Sequence, residues 1–299
     1  MISQKDKGQF PNFFHTSAGF RIFYSTNFHP EELGPGEPVI VFNYGLLCSN
    51  DQFKFQIPYF HNKGFKILTH DYRFHFSSSS SDTLSDCNFS GITDDLYELL
   101  NELNITNSIQ IGHSMGVNIC LEFAKKYPSH LSSMILISGT VYPPQDIMFD
   151  SNIVDIASPF IKDLLESYPV HFEKFWKTLY MNPLARKIVH NGGFNTKQVH
   201  DNFVQVYLKK IGELPKELLL HLLEEMKNHD IITHIESIEA KTLIIGGDRD
   251  KIIPNYLQLI LNNYLPNSEF YIVKDGSHVP QADFPEIVND RIHLFMKGL

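Results

Sequence analysis

A serine lies between two glycines at residues 112–116, where the chain reads Gly-His-Ser-Met-Gly. Small residues two positions before and after a pivot allow a strand to turn very tightly into a helix. Ser114 at that pivot would be strained, with its hydroxyl placed above the sheet as a nucleophile. The helix N-terminus would point at it, leaving the Met115 N–H free to bind an oxyanion. The alternative is that Ser114 is a helix N-cap beside two ordinary strand-end glycines.

Two downstream loops offer the partners that a nucleophilic serine needs, a base and an acid that orients the base. The stretch "LIIGGDRDKIIP" predicts a strand and then a loop with Asp248 and Asp250. The stretch "YIVKDGSHVPQ" predicts another strand and then a loop with His278. Open α/β sheets place their sites at the carboxyl ends of their strands, so both loops are expected near Ser114.

The elements that must position these residues alternate between strand and helix. Short runs rich in β-branched and aromatic residues predict strands at "FRIFYS", "PVIVFN", "FKILTHD", "SIQIGHS" and "LSSMILISGT". Helical spacing of apolar residues predicts helices at "TDDLYELLNEL" and "GVNICLEFAKKYP". The alternation resumes with "KTLIIGG", a helix after Pro254, "SEFYIVKDG" and a final helix. Apolar strands separated by helices predict a mostly parallel sheet that is covered on both faces.

Between these two parts, residues 141–240 contain helical patterns and no convincing strand. One helix is predicted to begin with Ser158 as N-cap and Pro159 at the first helical position. Another, "VHFEKFWKTLY", places four large apolar residues on one stripe: Phe172, Phe175, Trp176 and Leu179. We therefore predict an α/β core of residues 1–140 and 241–299, with a helical insertion of residues 141–240.

Composition limits the function classes. The chain has 299 residues, 25 Lys and Arg against 34 Asp and Glu, and a formal net charge of -9. This acidity, without a basic run, disfavours nucleic acid and anionic membrane surfaces as partners. The three cysteines fit neither a disulfide framework nor a metal site, so free thiols are expected. The polar N-terminus does not read as a secretory signal, and no apolar run is long enough to span a bilayer, so we expect a cytoplasmic protein.

Together these motifs resemble the α/β-hydrolase superfamily, in its cap-bearing esterase and lipase-like branch. The resemblance covers about residues 20–140 and 240–299. That family carries its acid in a G-x-x-D-x-x-x-P pattern, which "GDRDKIIP" matches with Asp250, leaving Asp248 as the alternative. It carries its base in a G-[SC]-H segment, which matches His278. The resemblance therefore implies a catalytic triad of Ser114, His278 and Asp250.

The resemblance also implies a second oxyanion donor and shows departures from the family pattern. The family usually has His-Gly after the third strand, where this chain has Tyr44 before a retained Gly45, so Leu46 would supply the N–H. Nearby Cys48 would line the pocket or be a plain loop thiol.

The family commonly reads D-x-R-G-x-G-x-S at the segment "HDYRFHFSS". Phe74 and Phe76 stand where glycines are usual, which predicts a different turn or side chains that fill space near the site. His70, Asp71 and His75 cluster there as metal ligands or, as the resemblance favours, as structural residues. Val117 replaces another common glycine, which predicts a slightly wider helix–strand spacing.

The resemblance implies an α/β-hydrolase fold with a helical cap inserted after the sixth strand, over the serine. It implies a serine hydrolase that cleaves carboxylic esters through an acyl-enzyme, without cofactor or metal, on a small to medium hydrophobic acyl group. The alternatives are C–C bond hydrolysis or perhydrolysis on the same triad, or a small-molecule receptor with little turnover. Ser114 argues against relatives that use an aspartate nucleophile. The expected partner is a small-molecule ester.

Overall fold

The fold is described from a computed structural model that covers residues 10–143, 153–199 and 201–299. Eight strands are found in these ranges: β1 (Phe10–His15), β2 (Arg21–Thr26), β3 (Val39–Asn43), β4 (Lys66–His70), β5 (Ser108–His113), β6 (Leu131–Ile137), β7 (Lys241–Gly247) and β8 (Ser268–Val273). The sheet has the order β1-β2-β4-β3-β5-β6-β7-β8. Only the β1–β2 and β2–β4 pairings among these strands are antiparallel.

The described helices cover the sheet and fill the insertion. Those of the core are α1 (Gln56–Asn62), α2 (Phe89–Glu102), α3 (Met115–Lys126), α9 (Asn255–Tyr264), α10 (Pro280–Asp283) and α11 (Pro285–Lys297). Those between β6 and β7 are α4 (Ile153–Ser167), α5 (Pro169–Lys177), α6 (Pro183–Gly193), α7 (Asp201–Ile211) and α8 (Leu218–Asn228).

The predicted mostly parallel sheet flanked by helices is confirmed. Alternate residues of each central strand enter different apolar clusters, as expected for strands buried on both faces. On β6, Ile135 and Ile137 join one cluster, whereas Met134 and Leu136 join another. Strand β1 and helix α1 were not predicted, because "FPNFFH" pairs at the edge with exposed side chains and α1 has only seven residues.

The insertion region between β6 and β7 shows no strand in the described ranges 153–199 and 201–240. The predicted start of its first helix is wrong, because α4 begins at Ile153 and holds Pro159 within it, so Ser158 is not its N-cap. Helix α6, by contrast, does begin with a cap and a proline: the Asn182 side chain accepts from the Leu184 N–H at 2.9 Å, and Pro183 is the first helical residue. Residues 1–9, 144–152 and 200, which belong to the predicted domains, lie outside the described residues. The division at residues 140 and 240 stays a prediction.

The turn after β4 keeps the backbone conformation that glycines normally provide. Phe74 and Phe76 have φ values of 65° and 43°, in the left-handed region that side chains rarely adopt. The Phe74 ring packs near Phe20, and the Arg73 guanidinium beneath it forms two hydrogen bonds with the Asp95 carboxylate, at 2.6 and 2.7 Å. Both residues thus adopt a backbone conformation that glycine favours, and packing offsets its strain. A turn different from the family's stays a prediction.

Asp71 in this turn predicts a measurable pH dependence of stability. Burial raises the pKa of the Asp71 carboxyl from 3.8 to about 7, although the Ser77 N–H bonds it at 3.1 Å. A folded-state pKa above the unfolded one stabilises the protein at low pH, and that stability is lost as pH rises toward about 7. Asp71→Asn, whose amide oxygen can still accept from Ser77, should therefore gain stability over wild type by roughly 1–2 kcal/mol between about pH 5.5 and about pH 8.

Urea unfolding of both proteins at the two pH values measures this difference. Asp248→Asn is the control, because Asp248 is exposed on another loop. An equal difference between Asp71→Asn and wild type at both pH values would contradict the expectation.

Candidate active site

Ser114 lies at a tight turn between β5 and α3. Its backbone has φ 53° and ψ −121°, and although it occupies the N-cap position of α3, its side chain makes no capping hydrogen bond. A Cβ on Gly112 would lie 2.5 Å from the Gly116 oxygen, and one on Gly116 would lie 2.1 Å from the Asn43 oxygen. Both glycines are thus required for β5 and α3 to pass each other and β3 this closely.

Val117, at the start of α3, is accommodated by a glycine elsewhere. A Cβ on Gly139 would lie 2.3 Å from the Val117 side chain. The family usually has a glycine on the helix at this position. Here the glycine that leaves room for the Val117 side chain is Gly139, just after β6. The slightly wider helix–strand spacing expected at Val117 stays a prediction.

The three residues proposed from the sequence as a triad lie in one hydrogen-bonded line. The Ser114 hydroxyl is 3.1 Å from His278 Nε2, and His278 Nδ1 is 2.9 Å from Asp250 Oδ2. Because a carboxylate only accepts, Nδ1 carries the proton and Nε2 is free to accept one from Ser114. Asp250 and His278 are buried, whereas Ser114 is partly exposed. This arrangement can deprotonate a serine hydroxyl as it attacks.

Of the two aspartates in the loop after β7, only Asp250 faces the histidine. Its Oδ1 accepts hydrogen bonds from the N–H groups of Ile252 and Ile253, both at 2.9 Å. These two bonds hold the carboxylate in place independently of His278. Asp248 is exposed and its backbone N–H pairs with the Val273 oxygen. The family pattern thus selected the aspartate that contacts His278.

The loop after β3 brings a second N–H group to the serine. A Cβ on Gly45 would lie 3.1 Å from the Ser114 Cβ, so this loop touches the turn directly. Among the described residues, no hydrogen-bond acceptor is recorded for the N–H of Leu46 or of Met115. The Gln52 side chain accepts the Gly45 N–H at 3.1 Å and so holds the loop in place. The two free donors are available to an anionic oxygen.

Tyr44, which replaces the usual histidine, is fully buried and supports this loop from below. Its hydroxyl accepts the Tyr72 N–H at 2.8 Å, and the Tyr72 hydroxyl donates to the Tyr44 main-chain oxygen at 3.0 Å. The two rings lie 4.1 Å apart. Burial raises the pKa of both phenols well above 10, so both hydroxyls remain protonated donors. The two tyrosines connect the loop after β3, which carries Leu46, to the turn after β4.

His113, next to Ser114, contacts the segment that carries His278, and sequence reasoning did not single it out. Its Nε2–H donates to the main-chain oxygen of His278 at 2.7 Å. Burial, with the nearby His278, lowers the pKa of His113 well below 6.5, so the ring is neutral. The only available signal was its place beside Ser114; the partner is 165 residues away in sequence.

The insertion also holds the loop that carries His278. Asp283 Oδ2 accepts the Ser277 N–H at 2.6 Å, and its Oδ1 accepts the Asn195 N–H at 3.2 Å. The Ser277 hydroxyl donates to the Gly193 oxygen at 3.1 Å. Residues at the end of α6 therefore contact the segment that carries His278.

A cavity of about 280 Å³ opens above Ser114 and His278. The insertion supplies most of its apolar wall: Ile188, Val189, Phe194, Phe203, Tyr207 and Ile211. Cys48 also lines it, with Sγ 3.3 Å from the Leu46 oxygen and 3.6 Å from the Tyr207 hydroxyl. Burial raises the pKa of this thiol to about 12, so it is a neutral wall group.

The predicted aromatic stripe on α5 divides between core and surface. Trp176 is buried and donates to the Leu214 oxygen at 2.9 Å, whereas Phe175 is 49% exposed. None of the stripe residues lines the cavity described above.

His70 and His75 do not form a metal site with Asp71 in the structure. His70 Nε2 pairs with the Asn43 side chain at 3.3 Å, and His75 Nδ1 pairs with the Arg73 oxygen at 3.0 Å. Within the described ranges, no group of three or more His, Cys, Asp and Glu residues could hold a metal ion.

Cys48, Cys87 and Cys120 are buried and free. None of the described helices is long and apolar enough to cross a membrane.

Comparison with known proteins assigns the family. The family model described as the alpha/beta hydrolase fold matches residues 38–285, most of the chain. The chain belongs to this family. The family assignment made from the sequence motifs is therefore confirmed, and the chain is an enzyme of the α/β-hydrolase superfamily.

Relatives within the family have several activities. The bifunctional esterase/perhydrolase of Acinetobacter calcoaceticus is 23% identical over 90% of this chain and 91% of its own length. The fold is similar to that of an esterase from Exiguobacterium antarcticum, with a TM-score of 0.76 at 18% identity over 96% of this chain and 100% of that one. It is also similar to a bromoperoxidase from Bacillus anthracis, with a TM-score of 0.73 at 21% identity over 96% and 100% of the two chains. At these identities the structures show the fold alone.

Proposed function

We propose that this α/β-hydrolase is a serine esterase that cleaves esters of hydrophobic carboxylic acids through an acyl-enzyme. The observation that carries the proposal is the continuous line of hydrogen bonds from Ser114 through His278 to Asp250 beneath an apolar cavity. The esterase/perhydrolase relative from Acinetobacter calcoaceticus supports the same reaction class.

The proposed reaction begins when Ser114 Oγ attacks the ester carbonyl carbon and its proton passes to His278 Nε2. Asp250 stabilises the resulting imidazolium and keeps the ring oriented. The N–H groups of Leu46 and Met115 bind the oxyanion of the tetrahedral intermediate. As the C–O bond breaks, the leaving alkoxide takes the proton from His278. Water, deprotonated by the same histidine, then releases the acid from Ser114.

The walls of the cavity support a hydrophobic acyl group of small to medium size. Its apolar side chains come chiefly from α6 and α7, and the wall is predominantly apolar, which suits a hydrophobic acyl group. Helices α4 to α8 would act as the cap predicted from the sequence. Each methylene group of the acyl chain that loses its apolar contact with the cavity wall should lower kcat/KM.

A panel of p-nitrophenyl esters from acetate to long-chain acyl groups tests this proposal. Wild type should hydrolyse them with an optimum at short to medium length and an initial burst of one p-nitrophenolate per enzyme. Val189→Phe, which narrows the cavity, should lower kcat/KM for the longest accepted ester by about tenfold and shift the optimum to shorter chains. Leu294→Phe, an exposed change on α11 away from the cavity, is the control.

The other outcomes distinguish the alternatives. Absence of turnover on every ester would overturn the proposal and favour C–C bond hydrolysis or ligand binding without catalysis. Peracid formation from an acid and hydrogen peroxide at a rate above ester hydrolysis would assign a perhydrolase instead.

A further inference from the structure

The outer helices of the insertion expose apolar side chains beside the cavity mouth. Those between 46% and 76% exposed include Ile156, Phe160, Leu164, Val170, Leu184 and Ile188. We call these six residues the apolar face. Helix α4 contacts α5, and the turn Leu179–Met181 contacts both α5 and α6, so the face follows adjoining elements. Scattered apolar residues are normal on surfaces, but a contiguous set marks a binding surface.

The spacing of these residues is that of one helical side. On α4 the exposed residues recur every four positions, at Ile156, Phe160 and Leu164. On α6, Leu184 and Ile188 are likewise four apart, and Ile188 also lines the cavity. The apolar face therefore includes one residue of the cavity wall, Ile188.

The charge around this face is opposite to that of the whole chain. Residues 153–211, which span α4 to α7, hold eight Lys and Arg and five Asp and Glu, leaving 17 and 29 of the chain's totals of 25 and 34. Lys174, Lys187 and Lys209 are exposed, and no carboxylate among the described residues pairs with them. Lys174 lies one turn from Val170, and Lys187 is adjacent to Ile188. The bulk acidity that disfavoured an anionic membrane surface thus does not describe this face.

We propose that the apolar face and its flanking lysines bind the surface of an anionic phospholipid bilayer. An apolar side edged by unpaired lysines is the pattern by which helices lie in a lipid interface, and the acidic remainder of the protein would be repelled from it. Ile188 would open the cavity toward the acyl region of the bilayer. The role as an entry for membrane-dissolved esters rests on the proposed function, whereas the binding itself does not.

Vesicle sedimentation tests the binding with Ser114→Ala, which cannot consume lipid. The protein should sediment with vesicles of phosphatidylcholine mixed with phosphatidylglycerol, more weakly with phosphatidylcholine alone, and less as salt rises. The double variant Lys174→Gln/Lys187→Gln should bind roughly thirtyfold more weakly. Lys63→Gln/Lys297→Gln removes two exposed lysines of the core and should bind as the parent does. Phe160→Asp should also weaken binding, with Leu294→Asp on α11 as its control.

Three results would overturn the proposal. One is failure to bind anionic vesicles at low salt. Another is an equal loss in the two lysine double variants. The third is a wild-type dimer that Phe160→Asp dissociates, because a second copy would then cover the face. Hydrolysis of a water-soluble ester by wild type and Phe160→Asp reads the proposed function separately, so failure of vesicle binding and failure of catalysis are distinguishable.

Discussion

Ser114→Ala should lower kcat/KM for a soluble p-nitrophenyl ester by about 10³-fold or more, to a residual rate set by binding and the oxyanion donors. The loss follows because Ser114 Oγ is the hydroxyl within 3.1 Å of His278 Nε2. Alanine carries the same backbone strain at φ 53° as serine, so the melting temperature should change little. Initial rates of both proteins, prepared in the same way, measure the loss of kcat/KM. Thermal unfolding of both proteins measures the change in melting temperature.

Ser138→Ala is the matched control for this experiment. Ser138 is also a buried serine at the end of a central strand, with a φ of 49°, and it is not part of the cavity wall. It should keep its activity within about twofold, as expected for a residue outside the site. Comparable losses in both variants would mean that the strained strand ends support the fold and that Ser114 is not the nucleophile.

Asp250→Asn should reduce kcat by about 10⁴-fold while leaving the loop folded. The amide oxygen would keep the bonds from the Ile252 and Ile253 N–H groups, so the amide nitrogen would face His278 Nδ1. An amide N–H donating to Nδ1 forces the imidazole proton onto Nε2. In that tautomer Nε2 is unable to take the proton from Ser114, which is the physical reason for the loss.

Asp248→Asn tests the same loop without changing the contact to His278. Asp248 is exposed and two residues from Asp250, so activity within about twofold of wild type is expected. Steady-state kinetics on one soluble ester, with circular dichroism as the folding check, compares the two variants. The reverse result, loss at Asp248 and retention at Asp250, would return the orienting role to the alternative aspartate.

Local rules accounted for much of the site because its chemistry depends on backbone geometry. Gly112 and Gly116 are required by close backbone contacts, and such requirements are visible in a sequence as unusual residue types at fixed spacing. Such requirements are not absolute, because Phe74 and Phe76 adopt a left-handed backbone whose strain packing offsets. Local reasoning was misleading at Pro159, where the helix continues through a residue that normally begins one.

Contacts between distant segments could not be anticipated in this way. The bond from His113 to the His278 oxygen joins residues 165 apart, and the Asp283 carboxylate joins α10 to the end of α6. Neither has a local pattern, because each depends on how the loops meet after the sheet has formed. The exchange between Val117 and Gly139 is similar, since space lost on one element was made on another.

Local sequence patterns encode the order of elements, the strand-to-helix turn at Ser114 and the loops that carry Asp250 and His278. These follow from periodicity and from residue types that suit only certain backbone conformations. Only the folded chain shows how Tyr44 supports the loop of Leu46 and which insertion side chains line the cavity. It also placed unpaired lysines beside an apolar face in an acidic protein. These depend on distances across the folded chain, which summed composition and local spacing do not encode.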